Sequence, residues 1–168
     1  MSKPTLYLFV GYPGAGKTTI AQAIAKQTGA KHLWADVERH KLFPKPTHSI
    51  EESTALYRQL NDATDYLLQQ GRSVVFDTNF NYAADRQKLR DIADKHGAET
   101  IIVWVDTPLD IAKQRAVHSQ VARNGYDFVM SESQFDDIAR KLEPPTESEK
   151  VLKIDGTNFD ESSLAALG

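Results

Sequence analysis

Residues 11–18 read GYPGAGKT and satisfy the pattern GxxxxGK[ST] in full, and no other stretch restricts this chain as much. An apolar run of β-forming type, residues 5–10 (TLYLFV), precedes it, and Ile20, Ile24 and Ala25 follow it at helical spacing. Strand, glycine-rich turn and helix in that order are the context in which the pattern binds phosphate. Gly11, Gly14 and Gly16 let the backbone turn its N–H groups inward around phosphate oxygens, and the helix that follows adds the positive end of its dipole. Pro13, Ala15 and Thr19 complete the expected cradle. Lys17 would reach the β- and γ-phosphates, and Thr18 would place a hydroxyl on magnesium. A glycine-rich turn with an ordinary surface Lys and Thr is the plain alternative, but it leaves the agreement of sequence and position unexplained.

The rest of the chain alternates in type. Apolar runs at residues 73–76, 100–105 and 151–154, with a weaker one at 32–35, are continuous instead of alternating, as in parallel strands covered on both faces. Between them, Leu56, Leu60, Ala63 and Leu67 mark a long helix ending at Gly71, and Leu89, Ile92 and Ala93 mark another ending at Gly97. Ser49 with Glu52, and Ser131 with Gln134, have capping-box spacing, while Thr107 precedes Pro108 at an expected first helical position. This order predicts a three-layer α/β fold with a five-stranded parallel sheet and right-handed crossovers. Residues 1–168 read as one domain, without repeats or a break in composition, and the residues after Asp155 read as a loosely held tail.

Composition removes several function classes. With 20 basic and 23 acidic residues the net charge is −3, which weighs against coating a long polyanion, so nucleic acid is a possible but not a favoured partner. No apolar run approaches a membrane span, and no charged-then-apolar leader opens the chain, so a soluble cytoplasmic protein is expected. The absence of cysteine excludes disulfides, thiolate nucleophiles and Cys-based zinc sites. His32, His40 and His48 recur at an even interval but lack the spacing of metal motifs. Nothing in the sequence specifies an oligomeric state.

A phosphate-binding loop leaves the fate of the γ-phosphate open. The guanine motif Asn-Lys-x-Asp is missing, no apolar run ends in Asp-Glu, and the chain is too short for an AAA+ module. The small kinases remain, in which a second substrate meets the γ-phosphate opposite the loop. Asp36 and Arg39, just past the second strand, are spaced to face one side of a first helical turn. Beside the loop strand, Asp36 would orient and deprotonate a hydroxyl and Arg39 would hold a phosphate, although a helix cap and a solvated cation explain the pair equally well. Asp77 and Asn79, in VVFDTNFN, emerge at the same sheet edge as candidates for a magnesium water, for bracing Arg39, or for a sugar or phosphate contact. Asp106 reads as structural, at a helix entry. No acid occurs in residues 111–126, where Arg115 and Arg123 are alternative cations of a helical lid spanning about 113–133.

Together these residues resemble the polynucleotide-kinase-like phosphate-loop kinases, related to the zeta-toxin kinases and to small ATP-binding proteins of AAA type. GYPGAGKTT, the D-x-x-R of Asp36 and Arg39, QQGRSVVFDTNFN, VDTP and KLEPPTE carry the likeness over residues 5–154. The resemblance implies a nucleoside-kinase-like fold, ATP and Mg2+ as cofactors, and transfer of the γ-phosphate to a hydroxyl of a small molecule or nucleotide-like substrate. It implies Asp36 as base, Arg39 as ligand of a substrate phosphate, Asp77 as the D-T-N aspartate, and Arg115 or Arg123 as the lid arginine. A 5′-hydroxyl polynucleotide kinase and an ATP-binding regulatory module with weak ATPase activity are the alternatives.

Overall fold

In the computed structural model, residues 3–118 and 130–167 are described. Five strands, β1 (Thr5–Val10), β2 (Lys31–Trp34), β3 (Val74–Asp77), β4 (Glu99–Asp106) and β5 (Val151–Asp155), form one parallel sheet in the order β2-β3-β1-β4-β5. Among the described residues, six helices accompany them: α1 (Lys17–Thr28), α2 (Ala35–Leu42), α3 (Ile50–Gln69), α4 (Ala83–Lys95), α5 (Leu109–Val117) and α6 (Glu132–Arg140). A 3₁₀ helix, Glu161–Leu167, follows β5.

Two apolar layers explain why the strand sequences are continuously hydrophobic. Leu6, Leu8, Val10, Phe76 and Ile102 face Leu56, Leu60 and Leu68 of α3 and Leu89 and Ala93 of α4. Their neighbours Tyr7, Phe9, Val75, Val103 and Val105 point the other way, onto Ile20, Ala21 and Ile24 of α1. The period-2 alternation of a strand sends successive side chains to opposite faces, and here both faces are dry.

The chain leaves β1 for the outer strand β2, returns to β3, and then passes β1 to reach β4. The sheet therefore has its topological switch point at the carboxyl end of β1, where a crevice opens. β3, not β2, lies beside β1, so the expectation that Asp36 follows a strand adjacent to the loop strand is corrected.

Several local expectations change as well. The residues after Asp155 are not a loose tail: Leu164 is fully buried beneath α1, and Gln27 Nε2 donates to its carbonyl at 2.6 Å. Ser131 and Gln134 close a full capping box, whereas Ser49 caps α3 but the Glu52 side chain is drawn elsewhere. Pro108 is the N-cap of α5 and not its first helical residue.

Arg86 on α4 is fully buried, and it explains the KLEPPTE segment. Its guanidinium donates to both carboxylate oxygens of Glu149 (2.8 and 3.2 Å) and to the carbonyls of Phe80, Glu143 and Pro144. Burial alone would raise the Glu149 pKa, but Arg86 and the Thr146 N–H hold it below the ordinary value. Arg86→Met should cost about 3–5 kcal/mol of stability by stranding a buried carboxylate. The double variant Arg86→Met/Glu149→Gln should recover part of that loss, as read by urea unfolding.

Candidate active site

At the switch point the chain turns through Gly14 (φ 80°) and Gly16 (φ 107°) into α1. A Cβ on Gly14 would lie 2.4 Å from the Ala112 carbonyl, so α5 packs against this turn as only glycine permits. Gly11, Pro13 and Ala15 are buried, Thr18 is half-buried and Thr19 is exposed. The N-cap of α1 is Gly16, with no side-chain cap, unlike the serine-capped α3 and α6. The first amides of α1 thus lack an intrahelical acceptor and concentrate the positive end of the helix dipole at the crevice.

Lys17 Nζ donates to the carbonyls of Gly11 (3.0 Å) and Tyr12 (2.7 Å). Burial pushes its pKa down from 10.5 to about 8, against the opposing pull of Asp77 and Asp36. Those two carboxylates, one at the end of β3 and one in the first turn of α2, act on the same lysine. Asp77 is buried, with His32 Nε2 at 2.9 Å from its Oδ2, and His32 stacks on Trp34. Asp36 is exposed in the first turn of α2, whose N-cap is Trp34, so it is not the helix cap.

Arg39 takes a different place from a substrate-facing cation. It is 6% exposed, with Nη1 2.5 Å from Glu52 Oε2 and Nη2 3.2 Å from Ser53 Oγ, tying α2 to α3. Glu52 also accepts the N–H groups of Thr47 and His48, and these bonds with Arg39 overcome burial and hold its pKa below the ordinary value. Asp77 therefore braces His32 and not Arg39. Asn79 is exposed, and its neighbour Thr78 bonds the Tyr57 hydroxyl at 2.8 Å. Arg115 lies against the loop, with Nη1 3.0 Å from the Gly156 carbonyl and 3.4 and 3.5 Å from those of Gly14 and Ala15. Arg123 and most of the expected lid lie outside the described residues. Asp106 is exposed and pairs with Lys153 at 3.5 Å.

Sequence reasoning missed three neighbours of the loop. Asn81, 5% exposed, accepts from Gly11 N and donates to Gly11 O, each at 3.1 Å. The Thr107 hydroxyl donates to Ala15 O at 2.8 Å. Gly156 packs so closely that an added Cβ would lie 1.9 Å from Thr107 Oγ1 and 2.3 Å from Ala15 O. The repeated Asn in DTNFN and the Gly directly after the last strand were the available signals. Among the described residues no cluster of three or more His, Cys, Asp or Glu could hold a metal ion, and no helix is long and apolar enough to cross a membrane.

A glycine cradle at the switch point of a parallel sheet, backed by an uncapped helix and a half-buried lysine, defines the phosphate-loop class of α/β proteins. Within that class the chain belongs to the AAA domain family AAA_33, whose model matches residues 6–145. No curated protein matches the sequence significantly. Among solved structures, a Chloroflexus aurantiacus protein is similar at 20% identity and TM-score 0.79, over 99% of this chain and 94% of that one. The Mycobacterium tuberculosis APS kinase CysC, in complex with AMPPNP and APS, is similar at 20% identity and TM-score 0.68, over 99% and 97%. A gluconokinase from Sinorhizobium meliloti is similar at 19% identity and TM-score 0.65, over 98% and 93%. The five-stranded parallel architecture is thus that of small phosphate-loop kinases.

The lowered Lys17 pKa has a sign that can be measured. Between about 8 and 10.5 the unfolded chain holds a proton that the folded chain has lost, so this group adds stability as pH rises through that interval. Phosphate beside Lys17 should restore the proton. Calorimetry in buffers of different ionisation enthalpy should find that Mg-ATP binding takes up most of one proton at pH 9 and little at pH 7. Equal uptake at both values would contradict the placement of Lys17 against phosphate.

Proposed function

We propose that this chain is a kinase that transfers the γ-phosphate of Mg-ATP to a hydroxyl of a small molecule or nucleotide-like acceptor. One observation carries the reading: Lys17, behind an uncapped helix N-terminus, lies within the electrostatic reach of both the buried Asp77 and the exposed Asp36. A binding loop alone has no use for an exposed carboxylate beside its lysine, whereas phosphoryl transfer needs a group to align the attacking oxygen. The fold shared with an APS kinase and a gluconokinase supports the reading.

The roles follow from position. The amides of residues 16–19 and Lys17 hold the phosphates, with Arg115, on one flank of the loop, or Arg123, outside the described residues, as the lid cation. Thr18 and Asp77, hard oxygen donors suited to magnesium, would hold an Mg2+ ion that offsets the phosphate charge. His32 fixes the Asp77 carboxylate. Asp36 accepts the proton of the acceptor hydroxyl and aligns its oxygen. Arg39, through Glu52, fixes α2 and therefore the place of Asp36, and Asn79 borders the acceptor.

Labelled γ-phosphate offered to small hydroxylated metabolites and to 5′-hydroxyl oligonucleotides tests the proposal. Asp36→Asn should lower transfer about 10²–10⁴-fold with Mg-ATP affinity kept. Lys17→Ala should lose transfer and weaken Mg-ATP binding to a Kd that is still measurable. Label in the oligonucleotide pool alone would favour the end-kinase alternative. Mg-ATP binding without label in either pool, unchanged by Asp36→Asn, would favour a regulatory module.

A further inference from the structure

The Gly11 carbonyl accepts two hydrogen bonds, from Lys17 Nζ at 3.0 Å and from Asn81 Nδ2 at 3.1 Å. The orientation of the Asn81 amide is fixed by chemistry, because the Gly11 N–H can only donate and must face Oδ1. Gly11 and Asn81 are buried, whereas Lys17 is half-buried, so water is not a ready substitute for the Asn81 donor. The proposed function requires Lys17 to leave this carbonyl for phosphate oxygens. Without a second donor the Gly11 carbonyl would then be stranded in a dry site, a costly state.

From this we infer that Asn81 is a positioning residue for nucleotide binding: its amide keeps the Gly11 carbonyl satisfied when Lys17 swings onto phosphate. Asn81 is itself held in place. Its carbonyl accepts the Glu143 N–H at 2.7 Å, and Phe80 N donates to Phe9 O at 2.8 Å. The adjoining Phe80 carbonyl is gripped by Arg86 Nη1 at 2.7 Å. The amide therefore stays where it is while the lysine moves. Tyr12 O, the second acceptor of Lys17, receives Ala15 N at 3.0 Å and keeps a partner in the same way.

The inference rests on nucleotide binding at the loop and is separable from it by a double-mutant cycle on Kd for Mg-ATP. In the native chain, Asn81→Ala should weaken binding ten- to a hundredfold. In a Lys17→Ala background, where no lysine departs, the same substitution should cost less than threefold. Asn81→Leu, near-isosteric and uncharged, should behave like Asn81→Ala in the cycle if the alanine variant folds poorly. An equal loss with and without Lys17 would mean that Asn81 merely supports the loop, and no loss in the native background would also overturn the inference. If the native chain itself does not bind Mg-ATP, the nucleotide reading falls, and this one with it.

Discussion

The backbone amides from Gly16 to Thr19 have to stay open, and the rest of the molecule is arranged around that requirement. A turn with inward N–H groups and no cap is unfavourable on its own, because donors without partners compete for any carbonyl nearby. It is held from three sides. Asn81 fixes both ends of the Gly11 peptide, Thr107 fixes the Ala15 carbonyl, and the backbone of Gly156 closes against both Thr107 and Ala15. These residues come from the ends of β3, β4 and β5, so the parallel sheet is what brings the supports to the carboxyl end of β1.

Charge around the turn follows the same logic. Lys17 is desolvated and loses affinity for its proton, and two carboxylates partly compensate. The buried one, Asp77, is oriented by His32, while the exposed one, Asp36, lies in the first turn of α2. The arginine nearest to it in sequence is neutralised by Glu52, which makes α2 and α3 one rigid wall instead of a basic surface.

What the sequence discloses is what is encoded locally. The loop was legible because its chemistry lies in eight consecutive residues, and the strands were legible because burial on both faces writes itself as continuous apolarity. The caps at Ser131 and the glycine stops at Gly29, Gly71 and Gly97 are equally local. Strand order was not legible: which of β2 and β3 lies beside β1 depends on crossovers, not on any residue near Asp36. The fate of Arg39 depended on Glu52, thirteen positions away, whose spacing from Ser49 signalled a capping box and concealed an ion pair. The role of Asn81 is not legible because its partner, Gly11, is seventy positions distant. Leu164 looked like part of a loose end, since one buried leucine in a polar stretch carries no periodicity.

The most direct measurement is a crystal structure with Mg-AMPPNP bound. The predicted result has the β-phosphate enclosed by the amides of residues 16–18 and Lys17 Nζ moved from the Gly11 carbonyl to phosphate. Asp36 should face the γ-phosphate across a gap one hydroxyl wide. A nucleotide seated away from the loop, or an Asp36 carboxylate turned from the γ-phosphate with α2 still tied to α3, would contradict it.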